Sequence, residues 1–88
     1  MKIKENYVLK NVVGTWSVFP LGDAVLNLTG ILTLNDTGCM LWRMLEDGST
    51  KEDLASRLVS DYDVSYDEAY ADVTEFVDKL AEVGCLEI

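Results

Sequence analysis

The sequence contains no histidine and a single proline. Losing histidine removes the commonest general base and the commonest metal ligand. Two cysteines remain, Cys39 and Cys85, too few for one chain to build a four-ligand zinc site without imidazole. Each stands beside apolar neighbours, Met40-Leu41 and Leu86, a setting in which free cysteine is commonly a buried, inert thiol. Both are expected to be structural thiols of a reducing compartment, with a disulfide between them left open. No dinucleotide fingerprint, Walker sequence, C-x-x-C or H-E-x-x-H is present. A nucleophile would have to borrow its base from a carboxylate or a lysine. Asp36-Thr37-Gly38 matches the tripeptide of aspartyl proteases, but those enzymes need two such lobes, and here the tripeptide is placed to open a helix. The expectation is a chain with no catalytic residue, no metal ligand and no cofactor. No apolar run approaches the ~18 residues of a membrane span. Met1-Lys2-Ile3-Lys4-Glu5-Asn6 is not followed by the apolar stretch of a signal peptide. A cytoplasmic protein with no membrane partner is expected.

What is present reads as one globular domain over residues 1–88, with 49% apolar and 26% charged residues. The net charge of −9 is unevenly distributed. Residues 1–34 hold three lysines against two acids, whereas residues 35–88 hold four basic residues against fourteen acids. The second part repels phosphate, which argues against a nucleic-acid partner.

The same boundary separates two hydrophobic periods. Up to Leu34 the texture is β-like. Tyr7-Val8-Leu9 opens a run to Val13, Gly14 breaks it, and Thr15-Trp16-Ser17-Val18-Phe19 continues it to Pro20. Gly14 suits a tight hairpin between these runs. Pro20 cannot donate to a ladder and marks a strand end or edge. Val25, Leu26 and Leu28 lead through Gly30, a candidate bulge, into Ile31-Leu32-Thr33-Leu34, a third strand. After Leu34 the period becomes helical. Asn35 or Asp36 caps a helix through Cys39, Leu41, Trp42 and Leu45 that stops at Asp47-Gly48. Ser49 or Thr50 caps a second helix with a Leu54, Ala55, Leu58, Val59 stripe. Ser65 with Glu68 forms a capping-box pattern for a third helix ending at Gly84. Cys85-Leu86-Glu87-Ile88 is an extended tail able to pair with the sheet. The fold class is therefore α+β: a three-stranded antiparallel sheet (1–34) followed by three helices (35–88).

Trp42, spaced three residues from Cys39 and from Leu45, belongs to the core face of the first helix. On the third helix Ala69, Val73, Phe76 and Leu80 centre the apolar stripe, and Tyr66, Tyr70, Val77 and Ala81 widen it. A stripe this wide fits a helix packed on two neighbours, or one with a flank left open for a partner.

The run Leu32-Thr33-Leu34-Asn35-Asp36-Thr37-Gly38, continued by Trp42, Leu45 and Asp47-Gly48, resembles the PqqD-like family. Leu54, Leu58, Tyr62-Asp63-Val64, Glu68-Ala69, Asp72-Val73, Phe76, Leu80, Gly84 and Leu86 extend the resemblance, and Tyr7-Val8-Leu9 with Trp16 to Pro20 fit its first hairpin. The resemblance implies a winged-helix-like arrangement and a non-catalytic peptide chaperone. Such a domain binds the leader of a ribosomally synthesised precursor peptide as an added strand and presents it to a modifying enzyme, often a radical SAM protein. The binding residues it points to are Gly30, Ile31, Leu32, Thr33 and Leu34 on the third strand. Tyr70, Val73 and Val77 on the third helix would form the far wall, with Asp72, Glu75 and Asp78 steering basic leader residues. The oligomeric state, monomer or dimer, is not set by this reading. Where members serving pyrroloquinoline quinone synthesis carry a Pro-rich lead-in, this chain has Asn27-Leu28-Thr29-Gly30-Ile31. That departure favours a different modified-peptide pathway.

Three alternatives share some features. A winged-helix transcription factor needs a basic recognition helix, but residues 65–83 hold Lys79 against six acids. An acyl-carrier-like protein is small and acidic, and Asp47-Gly48-Ser49 faintly matches its serine motif, but the β-rich first part does not. An acidic structural or regulatory subunit of another complex fits the composition as well.

Overall fold

The computed structural model describes residues 1–23 and 32–87. Strand β1 is Lys2–Ile3, β2 Tyr7–Val12, β3 Thr15–Pro20 and β4 Leu32–Leu34. Helices α1 (Asp36–Asp47), α2 (Lys51–Asp61) and α3 (Tyr66–Val83) follow, then strand β5 (Leu86–Glu87). The expected α+β class holds: β2, β3 and β4 form a three-stranded antiparallel sheet in that order, followed by three helices. Val25, Leu26, Leu28, Gly30 and Ile31 lie outside the described residues.

The β2–β3 hairpin turns on two residues, because Val12 pairs with Thr15. Both turn residues have positive φ, 52° at Val13 and 81° at Gly14, the combination whose twist matches the flanking strands. Gly14 tolerates this freely. Val13 does not, and its β-branched side chain is 99% exposed, so no packing offsets the strain. The Asn11 side chain reinforces the turn by accepting from the Gly14 N–H at 3.0 Å. Pro20 is the last residue of β3, as its missing donor requires.

Each helix starts where its cap stands. Asn35 Oδ1 accepts from Gly38 N–H, Thr50 Oγ1 from Asp53 N–H and Ser65 Oγ from Glu68 N–H, at 2.8, 3.1 and 3.2 Å. Gly84 ends α3 in the left-handed region, with its N–H on the Leu80 and Ala81 carbonyls. Trp42 is 0% exposed, at the centre of a core that draws on both sheets and all three helices. Its indole N–H finds no acceptor among the described residues, so the ring contributes volume rather than a polar contact.

The tail departs from expectation. β5 pairs with β1, Lys2 opposite Glu87 and Ile3 opposite Leu86, making a second, two-stranded sheet. Lys4 N–H donates to the Cys85 carbonyl at 2.9 Å, and Met1 exchanges hydrogen bonds with Ser49. A two-residue strand is too short to carry a period, so β1 left no signal in the sequence. The consequence is that β5 does not join the three-stranded sheet, and β4 remains at its end. Among the described residues no helix is long and apolar enough to cross a membrane.

Replacing Val13 with asparagine, which tolerates positive φ, is expected to relieve about 1 kcal/mol of backbone strain. For a chain of this size that raises the melting temperature by about 4–8 °C. A thermal melt of Val13→Asn that is unchanged or lower contradicts the turn assignment.

Candidate functional site

β3 is the central strand, and β4 uses one edge to pair with it: Trp16 with Leu34, Ser17 with Thr33 and Val18 with Leu32. The other edge of β4 has no strand partner among the described residues. The strand borders a groove of about 530 Å³. Leu32, Thr33 and Leu34 form one wall, and Asp72, Glu75, Phe76 and Lys79 of α3 form the other. Leu41, Leu58 and Leu80, all buried, supply an apolar floor.

The corner between β4 and α1 sets this geometry. The strand ends at Leu34, Asn35 caps, and the helix begins at Asp36 with no loop between. A Cβ at Gly38 would stand 3.3 Å from both Leu34 Cβ and Asn35 Oδ1, so glycine lets the first turn of α1 press against the strand end. Asp36-Thr37-Gly38 is thus a helix start. The Thr37 hydroxyl then donates to the Tyr62 hydroxyl oxygen at 3.2 Å, tying the start of α1 to the residue after α2.

Of the expected site residues, Leu32, Thr33 and Leu34 lie in the groove, as do Asp72 and Glu75. Gly30 and Ile31 lie outside the described residues. The flank of α3 differs from the one expected. Val73 and Val77 are 0% and 5% exposed and belong to the core. Tyr70 is half-buried, its ring 6.0 Å from that of Tyr66. None of these three lines the groove, and neither does the exposed Asp78. The buried centre of α3 is Ala69, Val73, Val77 and Leu80, with Phe76 only partly covered. At about 100° per residue, this rotates the helix so that the flank carrying Phe76, Asp72 and Lys79 is open. That Phe76 and Lys79 line the groove is not legible in the sequence, because a 3.6-residue period fits either rotation. Tyr62 and Val64 also reach the groove, through a link that carries no periodic signal.

The profile of coenzyme PQQ synthesis protein D (PqqD) matches residues 23–86. The chain belongs to the PqqD family. Its fold is similar to the solved structure of TbiB1 in complex with the TbiA(beta) leader peptide, with a TM-score of 0.78 and 23% identity over 99% of this chain and 95% of that one. It is also similar to lasso peptide synthetase B1 complexed with the leader peptide, with a TM-score of 0.74 and 24% identity over 94% and 92% of the two chains. Among curated proteins none matches the sequence.

In this PqqD-family chain both cysteines are free thiols. Burial is the main cause that raises the Cys39 pKa, and the carboxylate of Asp36 adds to it. Burial pushes the Cys85 thiol up to about 11. Its Sγ donates to the Leu80 carbonyl at 3.5 Å. High thiol pKa values suit packing rather than nucleophilic or redox work at neutral pH. Among the described residues no group of three or more histidine, cysteine, aspartate or glutamate side chains is placed to hold a metal ion.

The Cys85 shift has a pH consequence. The unfolded thiol ionises near its ordinary value of 9.0, the folded one near 11. In that window the unfolded chain releases a proton that the folded chain keeps, so stability falls as pH rises. Denaturant titrations from pH 8 to 11 are expected to show a steeper loss for the native sequence than for Cys85→Ala. Parallel pH profiles contradict the burial of this thiol.

Proposed function

We propose that the groove between β4 and α3 binds the leader of a ribosomally synthesised precursor peptide as an added strand, and that the protein presents this peptide to a modifying enzyme such as a radical SAM protein. The observation that carries this reading is the outer edge of β4, without a strand partner among the described residues, beside a groove with an apolar floor. An open edge is a ready template for another chain, and strand addition takes its affinity from main-chain bonds and its register from alternate side-chain pockets. β4 is only three residues long, so the ladder supplies few bonds, each worth about 1 kcal/mol net. Burial of an apolar side chain against Phe76 and the leucine floor supplies the rest. The volume lies within the ~300–1,000 Å³ of binding pockets. Leader peptides are the bound partners in both structural relatives.

The protein acts by binding, without a reaction of its own. Residues 27–31 lack the Pro-rich lead-in of the family members that serve pyrroloquinoline quinone synthesis, which favours a different modified peptide as the product. A DNA-reading role for α3 is opposed by its charge, since phosphates would meet Asp72, Glu75 and Asp78 on exposed positions.

The test is calorimetric titration with the leader of the precursor encoded beside this gene, followed by a proline scan of that peptide. One-to-one binding is expected. Proline is expected to weaken it about fivefold or more at alternate positions, where the N–H faces β4, and to be tolerated between them. Absence of binding, or proline sensitivity without a two-residue period, contradicts strand addition.

A further inference from the structure

The α3 wall of the groove carries an ordered set of charges. Asp72, Glu75 and Lys79 are all exposed, and Phe76 sits among them half-buried. Glu75 and Lys79 have the i, i+4 spacing that often pairs. Yet the ion pairs among the described residues are Arg43–Glu46 and Arg57–Asp61. Among the described residues, the two carboxylates and the ammonium therefore face the groove without ion-pair partners.

We infer that this wall selects the charge pattern of the bound strand: a basic side chain facing Asp72 and Glu75, a large apolar anchor against Phe76, and an acidic side chain facing Lys79. The inference rests on the strand-binding reading of the groove and specifies the class of peptide it takes. The spacings agree. Asp72 and Phe76 are four residues apart, about 6 Å along the helix axis, and Phe76 and Lys79 about 4.5 Å. Neighbours on one face of a strand are about 6.8 Å apart. Alternate strand residues therefore step along the wall as basic–x–apolar–x–acidic, and the length of a lysine side chain takes up the remaining few ångströms. Strand direction decides only which charged residue comes first in the peptide. Because the wall holds both signs, it discriminates more sharply than an acidic surface would. A uniformly basic peptide meets Lys79, and a uniformly acidic one meets Asp72 and Glu75.

The experiment uses a displayed library of random twelve-residue peptides as the probe. It is panned against the native protein, Lys79→Glu, the double variant Asp72→Lys/Glu75→Lys, and Glu52→Lys as a single charge reversal outside the groove, of the same sign as the double variant. All four positions are exposed, so the variants keep the core. Native protein is expected to enrich a basic residue two positions from a large apolar one, with an acidic residue beyond it. Lys79→Glu is expected to replace that acidic preference with a basic one, and the double variant to invert the other end. Glu52→Lys is expected to select as the native protein does. Individual peptides are expected to change affinity about three- to tenfold on reversal of a facing charge. The same peptide composition from all four proteins overturns the charge pattern while leaving strand binding intact. A shift toward acidic peptides with Glu52→Lys as large as that of the double variant also overturns it, because net charge alone would then explain selection. No enrichment on the native protein overturns both this inference and the strand-binding reading.

Discussion

The site depends on the loop-free corner where β4 becomes α1. A strand edge next to a helix is ordinarily covered or paired. Here the chain passes from Leu34 through one capping residue into α1, and Gly38 packs where a Cβ would stand 3.3 Å from Leu34. The corner leaves α1 at the end of β4 rather than along its flank. Among the described residues the outer edge of β4 has no strand partner, and α3 faces the strand across the groove. The hydroxyl contact of Thr37 with Tyr62 links the same corner to the chain entering α3.

The second determinant is the division of α3 into two faces. Ala69, Val73, Val77 and Leu80 are committed to the core. Their burial holds the helix at a fixed rotation, and that rotation decides what is left for the groove. Phe76 lies at the boundary, covered enough to be ordered by its neighbours and open enough to receive a side chain. The charged residues flank it on the solvent side. The core and the groove wall are thus adjacent stripes on one helix, the buried one committed to packing and the exposed one free to vary in charge.

Much of the fold was legible because local chemistry marks it. Asn35 or Asp36, Ser49 or Thr50, and Ser65 mark helix starts in the sequence, and the structure selects Asn35 and Thr50; Gly84 marks an end, and Gly14 the hairpin. The β4 wall followed from the abrupt change of period at Leu34. Two features were not legible. The pairing of β1 with β5 joins chain ends through two residues each, far below the length at which alternation can be seen. The rotation of α3 was ambiguous because Phe76 and Val77 are both apolar and adjacent, so the stripe closes with either. Only the packing against the rest of the core separates a buried Val77 from a groove-facing Phe76. The β4 residues that line the groove are therefore legible in the sequence, whereas half of the opposing wall needs the tertiary structure.

The central claim is that the free edge of β4 is the binding surface. Amide hydrogen exchange of the native protein, with and without the leader peptide encoded beside its gene, tests it most directly. Outward-facing amides within residues 32–34 are expected to gain protection on binding, while those of α2 stay unchanged. Unchanged exchange at residues 32–34, with new protection on the β2 edge or on the exposed face of α2, would contradict it.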